Sequence, residues 1–273
     1  MRVAAWQAAG RPGELEDNLA RLDAATAAAA AAGVDVLVSP EMFSTGYALE
    51  RGLEDPRTER AVRASAARHG VAQVWSEPLD GSITAAVCDA QGRLLGRYRK
   101  VHLWGPGERA AFAPGEGPPL VVDLGGLRVA VAVCFDVEFP ETARTAARAG
   151  ADVLCAPTAV EDPAVARVLL PARAMENGMV VVYANHAAGG QPPGGPAFCG
   201  ASVVAGPDGA LLAVAGSGGT DAAAEQLLVA DVDPAHLAAV RDRNPYAAEL
   251  RPHLYRAWGP EGPQDSDSRE ERS

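Results

Sequence analysis

The chain has 273 residues, is 48% hydrophobic and carries a formal net charge of −11 with a pI of about 4.9. A predominantly acidic surface does not attract nucleic acid or an anionic membrane, so neither is expected as a partner. The apolar content suffices for one large core, and no apolar run reaches membrane-spanning length, the alanine tract Ala24 to Ala32 being short and weakly apolar.

Met1 to Ala8 reads as a strand and not as the charged start of a secretory leader, so a cytoplasmic protein is expected. In that reducing setting Cys88, Cys134, Cys155 and Cys199, which show no paired spacing, are expected to be free thiols. Glu14 to Ala32 has Leu15, Leu19 and Leu22 at helical spacing and ends at Gly33. Val34 to Val38 is a buried strand that stops at Ser39-Pro40-Glu41-Met42-Phe43, where a carboxylate follows an apolar strand directly. Pro56 to His69 is a second helix and Val71 to Trp75 a strand. Ser82 to Val87 and Leu94 to Tyr98 pair as a hairpin over Asp89 to Gly92.

Arg99-Lys100-Val101-His102-Leu103-Trp104 follows at once. A Gly/Pro-rich loop, Gly105 to Pro119, then carries Glu108, Arg109 and Phe112; loops of that length in compact domains are usually functional or disordered. After the strand Leu120 to Leu124 comes Leu127 to Val133, rich in valine, which ends abruptly on Cys134 before a helix from Glu141 to Ala149. A cysteine on a strand-to-helix turn is placed as α/β folds place nucleophiles, and a nearby helix N-terminus is expected to favour its thiolate. Gly150 to Ala159 echoes Gly33 to Met42, a weak internal repeat that suggests two similar halves facing one another.

Pro163 to Asn177 reads as a helix and Met179 to Ala184 as a buried strand. Gly189 to Pro196 reads as a flexible Gly/Pro loop beside Asn185-His186 and is the candidate for setting specificity. Phe198 to Ala205 pairs with Ala210 to Ala215, Leu227 to Val232 is a late strand, and Pro234 to Arg241 is a short helix. Alternating strands and helices predict one α/β domain over residues 1–258. The charged stretch 259–273 lacks an apolar core and is expected to be disordered.

A cysteine nucleophile needs a base, an electrophile for the oxyanion and a group to orient both. Glu41, Lys100 and Cys134 all follow strand ends, so two facing sheets would allow them to converge. Taken alone, each has a plain structural reading: a small buried thiol, a helix-start acid, a solvated strand-end charge. His102 suggests a Cys–His pair, but a structural hydrogen-bonding role is preferred for it. The chain has no CxxC, HExxH, GxSxG or Walker pattern, so no zinc, serine-hydrolase or nucleotide-binding signature is present and no cofactor is expected.

Pro40-Glu41-Met42-Phe43, Tyr98 to Leu103 and Cys134 to Glu141 together resemble, in order and spacing, the nitrilase superfamily of carbon–nitrogen hydrolases, over roughly residues 1–256. The resemblance implies a four-layer α-β-β-α sandwich, a Glu41-Lys100-Cys134 triad and Glu108 as a fourth acidic site residue. It also implies a homodimer or higher homo-oligomer, with Phe139 to Ala149 and Tyr246 to Trp258 as the matching regions. True nitrilases of the superfamily usually carry Trp-Glu after the cysteine, whereas Phe135-Asp136 is similar to the amidase and carbamoyl-amide branches. Val182 to Asn185, Phe198 to Gly200 and Trp104 to Gly115 resemble 5-aminopentanamidase-type aliphatic amidases.

The expected reaction is therefore hydrolysis of a small aliphatic amide, an ω-amino amide in the narrower reading, through a Cys134 thioester. Glu41 serves as base, with Lys100 and the Phe135 backbone N–H on the oxyanion. Phe43, Tyr47, Trp104 and Asn185 are the candidate substrate contacts, and Glu138, Glu161 and Asp162 the possible acidic partners of a cationic tail. N-carbamoyl amine hydrolysis, nitrile hydrolysis, acyl transfer and a non-catalytic ligand-binding role are the alternatives. Burial raises the Glu41 pKa and Lys100 lowers it; sequence does not say which prevails.

Overall fold

The computed structural model describes residues 1–49, 53–188, 197–216 and 224–258. The expected loop Gly189 to Pro196 and the charged stretch from Gly259 lie outside the described residues. Two six-stranded sheets face each other. The first contains β1 (Arg2–Gln7), β2 (Val36–Val38), β3 (Ala72–Leu79), β4 (Ser82–Cys88), β5 (Leu94–Arg99) and the late strand β12 (Gln226–Asp231), in the order β12-β1-β2-β3-β4-β5. The second contains β6 (Leu120–Leu124), β7 (Leu127–Val131), β8 (Val153–Thr158), β9 (Val180–Asn185), β10 (Val203–Ala205) and β11 (Leu211–Val214), in the order β11-β10-β9-β8-β7-β6.

The period-two pattern of the strands explains the layering. In β1, Val3 and Ala5 enter the core shared with Val129, Val131, Val153 and Val180 of the second sheet. Ala4 and Trp6 turn the other way, onto Leu22, Ala25 and Ala29 of α1 (Leu15–Ala31) and Val62 and Ala66 of α2 (Arg57–His69). Helices α4 (Pro140–Arg148) and α5 (Leu170–Asn177) bury Ala143, Ala146, Leu170 and Ala174 beside the second sheet. The result is the α-β-β-α sandwich.

The weak repeat has a structural counterpart. In each sheet a parallel trio, β1-β2-β3 or β7-β8-β9, is flanked on one side by one antiparallel strand and on the other by two. The loops after β2 and β8 meet where the Glu41 N–H donates to the Thr158 carbonyl at 3.1 Å.

Four local differences from the sequence reading have physical causes. β3 runs on to Leu79 and turns into β4 through Asp80-Gly81, whose φ values of 48° and 69° are those of a tight hairpin, so Asp-Gly was a turn signal that the sequence reading passed over. The Gly/Pro-rich loop contains α3 (Gly105–Ala111), formed despite two glycines because the Glu108 carboxylate accepts the Trp104 N–H at 2.7 Å across its first turn. The helix over Pro163 to Asn177 begins with a widened π turn, Val165–Leu169, before α5; Pro171 lacks the N–H that a regular turn would use. Cys134 lies in a 3-10 turn, Cys134–Glu138, and α4 starts only at Pro140, so the helix N-terminus expected to favour the thiolate is not at the cysteine.

Candidate active site

Lys100 follows β5 with its side chain fully buried, which for an ammonium demands ionic partners. Its Nζ donates to Glu41 Oε1 at 2.8 Å and to both oxygens of Glu108, at 2.7 and 2.8 Å. Glu41, Lys100, Glu108 and Cys134 are each at most 2% exposed. Two carboxyl groups therefore share one ammonium in a fully buried site. Burial alone pulls the Lys100 pKa down, but Glu41 and Glu108 reverse this and the net shift is upward, keeping the ammonium charged.

For Glu41 the question left open by sequence has an answer. Burial outweighs the Lys100 charge, Glu108 adds repulsion, and the carboxyl is pushed up to about 7. The neighbouring Cys134 thiol contributes a small opposing stabilisation of the ionised form. In this structure that thiol points to the Ala159 carbonyl, with Sγ at 3.7 Å, while Glu41 Oε2 makes no hydrogen bond among the described residues. The Cys134 pKa is raised well above its ordinary value by burial and by the Glu41 and Glu108 carboxylates, despite Lys100. The expectation that a helix N-terminus favours the thiolate is thus corrected: α4 starts only at Pro140, and burial with the two carboxylates disfavours a further anion at this position.

Cys134 has a φ of 48°, the left-handed region that costs a side chain-bearing residue about 1–2 kcal/mol. The turn is held by Asp136, fully buried, which accepts from Val133 N–H (3.1 Å), Tyr98 O–H (2.9 Å) and His102 N–H (2.9 Å) and contacts His102 Nδ1 (2.8 Å). Arg173 adds donations to the Val137 and Glu138 carbonyls at 3.1 and 2.6 Å. His102 also stacks on Phe139 with centroids 3.8 Å apart, so the hydrogen-bonding role expected for it is what the geometry gives.

The remaining candidates divide. Trp104, 54% exposed, meets the edge of half-buried Phe135 at 5.0 Å, beside the buried cluster. Glu138 is half-buried, its pKa raised by burial and then by Asp162, with Lys100 close enough to oppose the shift; Glu161 is exposed. Tyr47 donates its hydroxyl to Glu108 at 2.6 Å and so stands in the cluster. Two expectations need correction. Phe43 packs outward against Trp6 at 4.4 Å, in the core beneath α1, because the 3-10 turn Phe43–Thr45 turns it away from the cluster. Asn185 is saturated by Val160 N and O, Gly200 O and His186 N, at 2.6–3.0 Å, and braces loops.

Sequence reasoning passed over Asp136, Arg173 and His186 as site supports. Asp136 lies two residues after the cysteine, which is a signal of sorts; the other two are distant in sequence and carried none. No group of three or more His, Cys, Asp or Glu residues among the described residues is placed to hold a metal ion.

The carbon–nitrogen hydrolase family model matches residues 2–242. The chain belongs to the carbon–nitrogen hydrolase family. It is 37% identical over 270 residues to the "Hydrolase in pqqF 5'region" of Pseudomonas protegens, covering 93% of this chain and 90% of that protein. It is 33% identical over 228 residues to an (R)-stereoselective amidase of a Pseudomonas species, covering 79% and 81%. Among solved structures it resembles an amidase from Nesterenkonia sp. AN1 with a TM-score of 0.83 and 38% identity, covering 95% of this chain and 97% of that one. In that structure, of a variant, the acetamide moiety of fluoroacetamide is covalently added at the active-site cysteine. No helix among the described residues of this family member is long and apolar enough to cross a membrane.

Proposed function

We propose that the protein hydrolyses a small aliphatic primary amide to its carboxylate and ammonia through an acyl-enzyme on Cys134. The observation that carries this reading is the buried Lys100 held between Glu41 and Glu108, with Glu41 Oε2 left free to accept. Glu41 takes the thiol proton as Sγ attacks the amide carbon. Lys100 and the backbone N–H of Phe135, the second residue of the 3-10 turn that begins at Cys134, serve the oxyanion. Collapse of the tetrahedral adduct breaks the C–N bond, and the Glu41 proton leaves with ammonia. Glu41 then deprotonates the water that cleaves the thioester, which returns the proton to sulfur. Glu108, fixed by Tyr47 and the Trp104 N–H, holds Lys100 in place.

The covalent adduct on the Nesterenkonia enzyme's cysteine supports the nucleophile, and the (R)-stereoselective amidase of a Pseudomonas species supports the amide class. The finer reading is an ω-amino amide such as 5-aminopentanamide, its ammonium facing half-buried Glu138 and the nearby Asp162. Ammonia release from 5-aminopentanamide, butyramide-like neutral amides, N-carbamoylputrescine and nitriles, run beside Cys134→Ala, tests both levels. Turnover of amides that vanishes in the variant is expected, with the amino amide preferred. Equal turnover by the variant would end the cysteine mechanism, and preference for neutral amides would end the finer reading.

A further inference from the structure

His186 follows β9 and is fully buried, 145 residues from Glu41 in the chain. Its Nε2 lies 2.6 Å from the Glu41 carbonyl oxygen, which only accepts, so Nε2 carries the proton. Its Nδ1 then accepts the Gly10 N–H at 3.4 Å. The two bonds fix one neutral tautomer, in keeping with a pKa that burial lowers to about 4. The ring plane is set by Phe198, stacked at 4.8 Å, and by the edge of Tyr47 at 6.1 Å.

Glu41 stands just after the short β2, in a loop whose next residue, Met42, has a φ of 46°. Within its own half, Lys100 holds the Glu41 carboxylate and Ser76 accepts the Met42 N–H. The Glu41 backbone itself is tied to the other half of the sandwich: Thr158 O accepts the Glu41 N–H, and His186 donates to the Glu41 C=O. Cys134 belongs to that same half, after β7.

We propose that His186 is a positioning residue that holds the Glu41 backbone in register with Cys134 across the two sheets. Both ring nitrogens bond backbone groups, the Glu41 C=O and the Gly10 N–H, and the ring serves as a neutral donor on a rigid aromatic bed. The inference rests on Glu41 being the base.

The test compares two donorless variants, His186→Phe and His186→Met, with His186→Gln, whose amide returns an N–H near the Nε2 position. Steady-state amide hydrolysis, the rate of Cys134 alkylation by iodoacetamide and thermal unfolding are measured on each. The donorless variants are expected to lose about 10- to 100-fold in kcat, with KM changed less than about threefold, because a small misplacement of the base is costly. Alkylation is expected to slow in step, and His186→Gln to recover most of both rates, all rates being measured well below every variant's melting temperature. Wild-type kcat in a folded donorless variant would overturn the proposal. So would a loss confined to KM, or an equal loss in all three that follows melting temperature, since that is the behaviour of a packing residue. If wild-type protein turns over no amide, the functional reading fails instead, and the two failures remain distinguishable.

Discussion

At the scale of single residues, the site is a charge balance that burial tips. Lys100 is kept charged by two carboxylates, Glu41 is pushed up to about 7, and the Cys134 thiol is pushed above its ordinary value. Catalysis on this account needs Glu41 ionised in the free enzyme, so protonation removes activity. The sign follows: kcat/KM is expected to rise with pH between about pH 5 and pH 8, with an acid limb governed by Glu41. Glu41→Gln is expected to lower kcat by about 10²- to 10⁴-fold and abolish that limb. A pH–rate profile flat across this window in the wild-type protein would contradict the assignment.

At the scale of elements, the turn Cys134–Glu138 depends on Asp136. One buried carboxylate satisfies donors from β5 (Tyr98), from the stretch after Lys100 (His102) and from the residue that leads into the turn (Val133). It thereby ties the Lys100 segment to the Cys134 segment. Asp136→Asn replaces one acceptor oxygen with a donor and strands buried N–H or O–H groups, each costing about 1–3 kcal/mol. We expect a loss of about 2–4 kcal/mol in urea unfolding together with reduced kcat, whereas Tyr98→Phe costs about 1 kcal/mol. An Asp136→Asn protein as stable as wild type would remove Asp136 from this role.

At the scale of the whole molecule, two topologically alike halves bring three strand-end residues to one place. Much of this was legible in sequence: buried valine-rich strands, the helices between them, the echo of Gly33 to Met42 in Gly150 to Ala159, and three motifs whose order identified the family. What was not legible depends on three-dimensional closure. Nothing local says that Phe43 turns outward to Trp6, that Tyr47 donates to Glu108, that Asn185 is consumed by internal hydrogen bonds, or that His186 reaches Glu41. The α3 helix was hidden because its capping partner, Glu108, was read only as chemistry.

The sandwich also predicts where stability resides. Leu154→Ala, at a fully buried position in β8, is expected to cost about 2–5 kcal/mol in urea unfolding. Leu212→Ala, 44% exposed on β11, is expected to stay within about 0.5 kcal/mol. Equal effects at the two sites would contradict the assigned layers.

The central claim is that Cys134 carries the acyl group and Glu41 manages its proton. Intact-mass spectrometry with peptide mapping, over time courses of wild-type and Glu41→Gln protein with iodoacetamide, tests both halves of it most directly. An addition confined to Cys134, absent in Cys134→Ala and formed at least about tenfold more slowly in Glu41→Gln than in wild type, is the predicted result. Equal rates in wild type and Glu41→Gln, or equal modification of Cys199, would contradict it.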